Sequence, residues 1–102
     1  MAATPEAKVK AKIKATLKEH NVYYAMPIGT GYGNSGVPDF LCCVSGKFVA
    51  IEAKAGKGQP TALQEKNMRE IKESNGIAIV IREAELDNGY FAELINLIKT
   101  VR

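Results

Sequence analysis

The sequence predicts an α/β protein with a small mixed sheet flanked by helices, in the element order αβββαβα. Three patterns support this fold class: a helical apolar stripe near the N-terminus, two apolar runs around a Ser45-Gly46 turn, and a β-branched run at 77–81 after a second helical segment. Strands joined by a two-residue loop pair antiparallel, whereas a strand that follows a helical crossover pairs in parallel. The predicted sheet is therefore mixed.

The first predicted helix runs from Pro5 to about His20. Thr4 is a suitable N-cap, proline is favoured at the first helical position, and the acidic Glu6 suits the positive end of the helix dipole. A short strand is expected at 22–26. The apolar stripe of the helix recurs at helical spacing and consists of Val9, Ile13 and Leu17.

A glycine-rich loop follows at 27–38. Gly31, Gly33 and Gly36 match the spacing of a dinucleotide-binding fingerprint. That fingerprint has to open a helix after a strand, whereas this loop leads through Pro38 into another strand. We therefore reject the dinucleotide interpretation and expect a flexible loop beside a ligand.

Residues 39–44 and 47–54 are predicted to form a β-hairpin. Both of its faces are apolar, so we expect helices to cover the sheet on both sides. If Ser45-Gly46 is the two-residue loop, Val44 pairs with Lys47. Counting outward then places Asp39 opposite Glu52. Opposed like charges destabilise a sheet, so a cation between the two carboxylates would resolve the conflict, and the register alone predicts a metal site.

The C-terminal half supplies a helix at about 60–74 and a buried strand at 77–81, with Gly76 as a helix C-cap candidate. Leu63, Met68 and Ile71 are expected to face inward from that helix. A last helix at about 90–101 is strongly apolar. It could pack against the sheet, or it could also form a dimer surface.

Composition predicts one globular domain spanning 1–102. The hydrophobic content of 46% and charged content of 25% are ordinary for such a domain. No apolar run is long enough for a membrane span and no secretory signal is visible, so we expect no membrane partner. The adjacent Cys42 and Cys43 suit neither a disulfide framework nor a metal knuckle, and we expect inert core thiols. These features predict an intracellular, cytoplasmic protein.

The positive charge is concentrated in the first helix. Residues 1–20 contain five lysines and two glutamates, which gives +3, while the other residues contain nine basic and nine acidic side chains. A basic helix on a neutral body suggests a polyanionic partner. The alternative is an ordinary solvated helix face.

The string Pro38-Asp39, twelve residues, Glu52-x-Lys54 resembles the core of the PD-(D/E)xK nuclease superfamily. With Gly36-Val37 before it and Gln64 after it, the sequence resembles the VRR-NUC (virus-type replication-repair nuclease) family more closely. The resemblance extends from Glu6 to about Arg82. It implies a restriction-endonuclease-like core and a nuclease activity.

The resemblance also implies roles for individual residues. Asp39 and Glu52 offer oxygen ligands for Mg²⁺, with Mn²⁺ as a substitute, and the carbonyl of Ala53 is a further metal ligand. Lys54 would position or deprotonate the attacking water, or neutralise charge in the transition state. Glu6 matches the first-helix glutamate of the family, which reaches the metal or its water network.

Gln64 matches a helix glutamine near the same site in this family. An alternative is a capping box in which Gln64 pairs with Thr61. Glu6 likewise has an alternative as a first-turn acid that only compensates the helix dipole. Asp39 could be a turn residue, and Glu52 and Lys54 could be an exposed ion pair.

No recognition helix is visible, so DNA is expected to be recognised by its structure and not by base sequence. Contacts with the nucleic-acid backbone are expected from the lysines of the first helix, above all Lys8 and Lys12, and from Tyr32, Asn34, Ser35 and Lys57. The resemblance implies a homodimer of viral or bacterial origin that acts on branched DNA, in the manner of a Holliday-junction resolvase or on flaps. The alternatives are a catalytically silent nucleic-acid-binding module and, third, a hydrolase of small phosphoesters.

Overall fold

The structure is a computed structural model that describes residues 4–28 and 36–101. The elements run in the order α1 (Pro5–Glu19), β1 (Tyr23–Ala25), β2 (Phe40–Val44), β3 (Lys47–Ala53), α2 (Ala62–Glu73), β4 (Ile77–Ile81), α3 (Glu83–Asp87) and α4 (Tyr90–Thr100). The predicted helices and strands are all present within two residues of their expected bounds. The short helix α3 was not predicted, so the order is αβββαβαα.

The four strands form one mixed sheet in the order β1-β2-β3-β4. β1 and β2 pair antiparallel, as do β2 and β3, while β3 and β4 pair in parallel. The predicted hairpin register is confirmed, because Val44 pairs with Lys47. Ser45 and Gly46 both have positive φ angles, of 50° and 84°. Such a turn matches the right-handed twist of the two strands it joins.

The helix ends follow from local chemistry. The Thr4 hydroxyl accepts a hydrogen bond from the Ala7 N–H at 3.1 Å, and Pro5 is the first helical residue of α1. α2 begins with a capping box, in which Thr61 and Gln64 bond reciprocally. At the end of α2 the left-handed residue is Asn75, with φ of 68°, and not the expected Gly76. Gly76 instead allows close packing, since an added Cβ would lie 2.7 Å from Ile71 Cγ2.

One face of the sheet is covered by two helices, while its edge strands keep some partly buried side chains. The apolar stripe of α1 and the inner residues of α4 pack on it, and all of these side chains are buried. Alternate residues of β3 enter this core at Val49, Ile51 and Ala53. Because α4 turns Phe91, Ile95 and Ile98 inward, the apolar C-terminal helix serves the core. Among the described residues, no helix is long and apolar enough to cross a membrane.

The other face is covered only in part, which corrects the expectation of equal cover on both sides and the expectations for Cys43 and Leu63. α2 buries a small cluster of Ala50, Met68 and Ala78 there. Cys43 is exposed and Phe48 keeps 46% of its surface accessible, so only Cys42 is the core thiol that the sequence predicted. Leu63 was expected to face inward but is 51% exposed. The single helix α2 is too narrow to reach across β2 and β1.

Candidate active site

Asp39 and Glu52 lie at the open end of the hairpin. The last backbone pair of β2 and β3 joins Phe40 with Ile51, so Asp39 and Glu52 are the next positions outward. Side chains alternate between the two faces of a strand. Both carboxylates therefore share the partly covered face with Ala50 and Cys43, as the sequence register predicted.

Glu52 is a buried charge with an incomplete set of partners. Its relative exposure is 1%, and its Oε1 is buried without a hydrogen-bond partner among residues 4–28 and 36–101. Burial raises the pKa of Glu52, and the negative charge of Asp39 raises it further, while Lys54 opposes the shift. A buried carboxylate oxygen without a partner is costly for folding. Such an atom is readily explained as a ligand position for a cation.

Asp39 fixes the backbone at the end of β3. Its Oδ2 accepts a hydrogen bond from the Ala53 N–H at 2.9 Å. The next N–H, of Lys54, points the opposite way and bonds to the Ile81 carbonyl at 3.1 Å. In a strand, the N–H and C=O of one residue point to the same side. The Ala53 carbonyl is therefore directed toward the side of β3 on which Asp39 lies, where the family resemblance places a metal ligand.

Lys54 lies between two acidic side chains. Its Nζ is 3.3 Å from Glu52 Oε2 and 4.0 Å from Glu6 Oε1. The Lys54 side chain is only 12% exposed, so these contacts are weakly screened by solvent. The structure thus brings Glu6, Asp39, Glu52 and Lys54 together from α1, the start of β2 and the end of β3.

Lys10 completes this cluster, whereas the sequence pattern grouped it only with the other lysines of the first helix. Its Nζ is 3.3 Å from Asp39 Oδ1 and 3.9 Å from Glu6 Oε2. The available signal was its position four residues after Glu6, which places both side chains on one side of a helix. The cluster now contains three carboxylates and two ammonium groups, so its formal charge is −1 and it can still accept a cation.

The donor set fits a hard divalent cation. Within residues 4–28 and 36–101, no group of three or more His, Cys, Asp or Glu side chains is arranged to hold a metal. Asp39 and Glu52 supply two carboxylates, and Ala53 supplies a carbonyl on the same side. Mg²⁺ commonly binds through one or two carboxylates and keeps several waters. The incomplete protein ligand set therefore suits Mg²⁺ better than Zn²⁺, which prefers nitrogen and sulfur ligands.

Gln64 has the capping role that was its alternative interpretation. Its backbone N–H bonds to Thr61 Oγ1 at 3.2 Å, and its Oε1 accepts from the Thr61 N–H at 2.9 Å. Gly36 lies against the same turn, since an added Cβ would be 2.7 Å from the Leu63 carbonyl carbon. The start of α2 therefore lies beside the segment that leads to Asp39, although the Gln64 side chain is engaged in the cap. A catalytic role for Gln64 stays a prediction.

The loop after Lys54 is held by residues that the sequence analysis missed. The Gly56 N–H donates to Glu83 Oε1 at 2.9 Å, and this bond lowers the pKa of Glu83. The Arg82 guanidinium donates to the Gly58 carbonyl at 2.7 Å. These contacts join residues 24 or more positions apart, so no local sequence pattern indicates them.

The expected DNA-contacting residues are dispersed. Lys8, Lys12 and Lys57 are exposed, and Lys12 forms an ion pair with Asp87 at 3.5 Å. Tyr32, Asn34 and Ser35 lie outside the described residues. The structure therefore places Lys10, and not Lys8 or Lys12, at the carboxylates.

A solved structure described as a "VRR_NUC domain protein" is similar to this chain, with a TM-score of 0.63, covering 97% of this chain and 88% of that chain. The sequence identity is 15%. The chain therefore has the VRR-NUC fold, and the predicted α/β, restriction-endonuclease-like class is confirmed. No family model matches the sequence, and no curated protein matches it.

Proposed function

We propose that the protein is a metal-dependent endonuclease that hydrolyses phosphodiester bonds in DNA. The observation that carries this proposal is the buried Oε1 of Glu52 beside Asp39 and Lys54, which has no hydrogen-bond partner in the described part of the chain. The VRR-NUC fold supports the nuclease class. A protein that only bound DNA would gain nothing from a buried carboxylate that lacks a partner.

Asp39, Glu52 and the Ala53 carbonyl would hold Mg²⁺, with Mn²⁺ as a substitute. When bound, the cation would supply Lewis acidity toward a phosphate oxygen and lower the pKa of its water. Asp39 has a second task, because its bond to the Ala53 N–H keeps the end of β3 in place. The same side chain would thus orient the carbonyl ligand and provide a ligand of its own.

Lys54 would act on the substrate phosphate. Its Nζ lies within ion-pair distance of Glu52 and Glu6, a position from which it would neutralise charge in the transition state. A fixed positive charge aimed at developing negative charge is an effective electrostatic catalyst. Glu6, held by Lys54 and Lys10, would bond a water at the edge of the site.

The proposed substrate is branched DNA, such as a four-way junction or a flap, and the proposed active form is a homodimer. The basic α1 beside the site supports a polyanionic substrate. Two sites related by a two-fold axis would cut symmetrically related strands of a junction. In α4, Phe91, Ile95 and Ile98 are buried in the core, whereas Tyr90 and Leu97 stay 49% and 60% exposed, so the outer side of this helix is a candidate dimer surface.

The test uses labelled four-way junction, flap and plain duplex DNA with Mg²⁺, Mn²⁺ or EDTA. We expect paired, metal-dependent nicks in the junction that the Glu52→Ala variant does not make. Cleavage by that variant at the wild-type rate would contradict the mechanism. Equal cleavage of plain duplex would contradict the proposed selectivity for branched DNA.

A second candidate function is a catalytically silent nucleic-acid-binding module. The ion pair between Lys10 and Asp39 favours it, because this lysine already supplies a cation to one of the two carboxylates. A metal titration followed by thermal unfolding separates the two functions. The nuclease should melt at a higher temperature with Mg²⁺ or Mn²⁺, whereas the silent module should show no metal-dependent change.

A further inference from the structure

The lysines of α1 are divided between its two sides. The buried stripe of Val9, Ile13 and Leu17 faces the sheet, and residues turn by about 100° each along a helix with 3.6 residues per turn. Lys8 and Lys12 therefore lie on one side of the stripe. Lys10 and Lys14 lie on the other, and Lys18 continues that row four residues further on.

The side that carries Lys8 and Lys12 faces acidic residues of α3. Lys12 pairs with Asp87, and its charge also acts on Glu83. Lys8 and Lys12 line a cleft that Glu83 closes. The positive charge on this side is therefore largely offset by carboxylates.

The opposite side has no such compensation beyond its first member. Lys10 contacts Asp39 and Glu6. Lys14 and Lys18 are exposed, and neither forms an ion pair with an acidic side chain within the described parts of the chain. Successive members of the row are four residues apart, which is about 6 Å along the helix axis. This separation is close to that of neighbouring phosphates on one nucleic-acid strand.

We propose that Lys10, Lys14 and Lys18 bind consecutive backbone phosphates of a single nucleic-acid strand that leaves the Asp39–Glu52 site along this side of α1. The proposal rests on the proposed function for the position of the reacting phosphate. The proposed ligand is a polyanion with regularly spaced charges. Because the row contains one lysine per helical turn, it matches a single strand and not a duplex. The row begins at the carboxylates, so the strand path and the site form one continuous surface.

Lys10 connects the two parts of this surface. Its ammonium now neutralises Asp39. A divalent cation on Asp39 would repel this ammonium and leave it free to bond the phosphate next to the reacting one. Binding of substrate and cation would then favour each other.

The test measures DNA affinity by fluorescence anisotropy in EDTA over a range of salt concentrations, so that cleavage does not interfere. The variant is Lys14→Ala with Lys18→Ala. The matched control is Lys66→Ala with Lys72→Ala, which removes the same charge from exposed positions of α2. A third variant, Lys8→Ala with Lys12→Ala, removes the same charge from the other side of α1.

The slope of log affinity against log salt falls by about 0.9 for each lost duplex phosphate contact, and by about 0.7 for single strands. We expect a fall of about 1.4 to 1.8 for the Lys14 and Lys18 variant and an unchanged slope for the α2 control. An unchanged slope in the first variant, or an equal fall in the α2 control, would overturn the proposal. So would a greater fall in the Lys8 and Lys12 variant.

Cleavage of junction DNA by the wild type in Mg²⁺ is measured in parallel. If the wild type binds with the expected slopes but cuts nothing, the nuclease function fails and the strand path stands. If the wild type cuts and the Lys14 and Lys18 variant keeps its full salt slope, the function stands and the strand path fails.

Discussion

The sheet face that packs against α1 and α4 is closed, whereas the face that packs against α2 is open over β1 and part of β2. Phe40, Cys42 and Val44 of β2 point into the closed face and are buried. On the open face, Tyr23, Cys43 and Phe48 form one cross-strand row of exposed side chains. The same hairpin thus contributes alternate residues to two unlike environments.

The closed face contributes most of the stability, whereas the open face contains the candidate catalytic residues. The closed face contains the continuous apolar core, while Asp39, Glu52 and Lys54 occupy the open face, where α2 buries only a small cluster. Apolar burial is the main stabilising contribution to a domain of this size. Buried charge such as that of Glu52 opposes folding. Loss of the Glu52 charge and loss of a buried apolar side chain should therefore have opposite effects on the free energy of unfolding.

Glu52→Gln should have the largest effect. The amide keeps the shape of the side chain but loses the charge, so cleavage should fall at least about a thousandfold, because several kcal/mol of cation-dependent stabilisation are lost. The melting temperature without metal should be equal to or above that of the wild type, since the buried charge is removed. Single-turnover cleavage and thermal unfolding measure the two quantities.

The matched control for this prediction is Glu73→Gln, an exposed position at the end of α2. It should keep the wild-type cleavage rate and the metal-dependent rise in melting temperature. A Glu52→Gln protein that is markedly less stable than the wild type without metal would show that Glu52 stabilises the fold, against the separation of the two faces.

Phe40→Ala and Phe48→Ala compare the two faces directly. Phe40 is fully buried, whereas Phe48 is 46% exposed. Truncation of a buried phenylalanine costs about 3–5 kcal/mol of unfolding free energy, and the half-exposed position should cost about 1 kcal/mol. Urea unfolding measures both values. Equal losses would mean that the open face contributes as much to stability as the closed one.

The two cysteines should differ in reactivity. Burial raises the pKa of Cys42 to about 12, while Cys43 is exposed. Because the thiolate is the reactive form, a chromogenic disulfide reagent should titrate one thiol in the native protein and the second only after unfolding. The Cys43→Ser variant should show no fast reaction. Rapid modification of both thiols in the native protein would show that Cys42 is accessible to the reagent and that this face of the sheet is not closed.

Glu83→Gln should have the smallest effect, because Glu83 holds only the loop after Lys54. The bond from the Gly56 N–H lowers the pKa of Glu83 from the ordinary value of 4.5. A lowered acid pKa stabilises the fold above that ordinary value, and the contribution is lost as pH falls through the folded-state pKa. The variant should therefore melt slightly below the wild type at neutral pH and at the same temperature in strong acid.

Melting curves at neutral pH and near pH 3, roughly a unit below the ordinary glutamate pKa, measure this difference, with the exposed Glu93→Gln as the control. A deficit in the Glu83 variant that persists unchanged in acid would show that the carboxylate charge is not what holds the Gly56 loop.

Local sequence was sufficient for the strands, the main helices and the carboxylate pair. The hairpin register follows from the turn, because a two-residue loop leaves one way to pair the strands. The crossover through α2 similarly made a parallel β4 predictable. Helix α3 was missed because a five-residue helix is too short to show helical periodicity.

Contacts distant in sequence account for the other differences. The contact of Lys10 with Asp39 was not predicted, because it depends on how α1 crosses the end of the hairpin. The attachment of the Gly56 loop to Glu83 likewise joins two segments that are separated by α2 and β4. From sequence, Gln64 could be a residue of the active site or part of a helix cap. Its reciprocal hydrogen bonds with Thr61 show that it forms the cap.

By itself, the sequence determined the alternation of β2 and β3, the opposition of Asp39 and Glu52, and the basic character of α1, because each depends on neighbours in the chain or on one tight turn. Only the tertiary structure decided which sheet face is closed, that Cys43 and Phe48 are exposed, and which lysine meets the carboxylates. Those outcomes depend on the width and crossing of packed helices. The continuous apolar runs of β2 and β3 make both faces of these strands apolar. They do not show how much of each face the helices will cover.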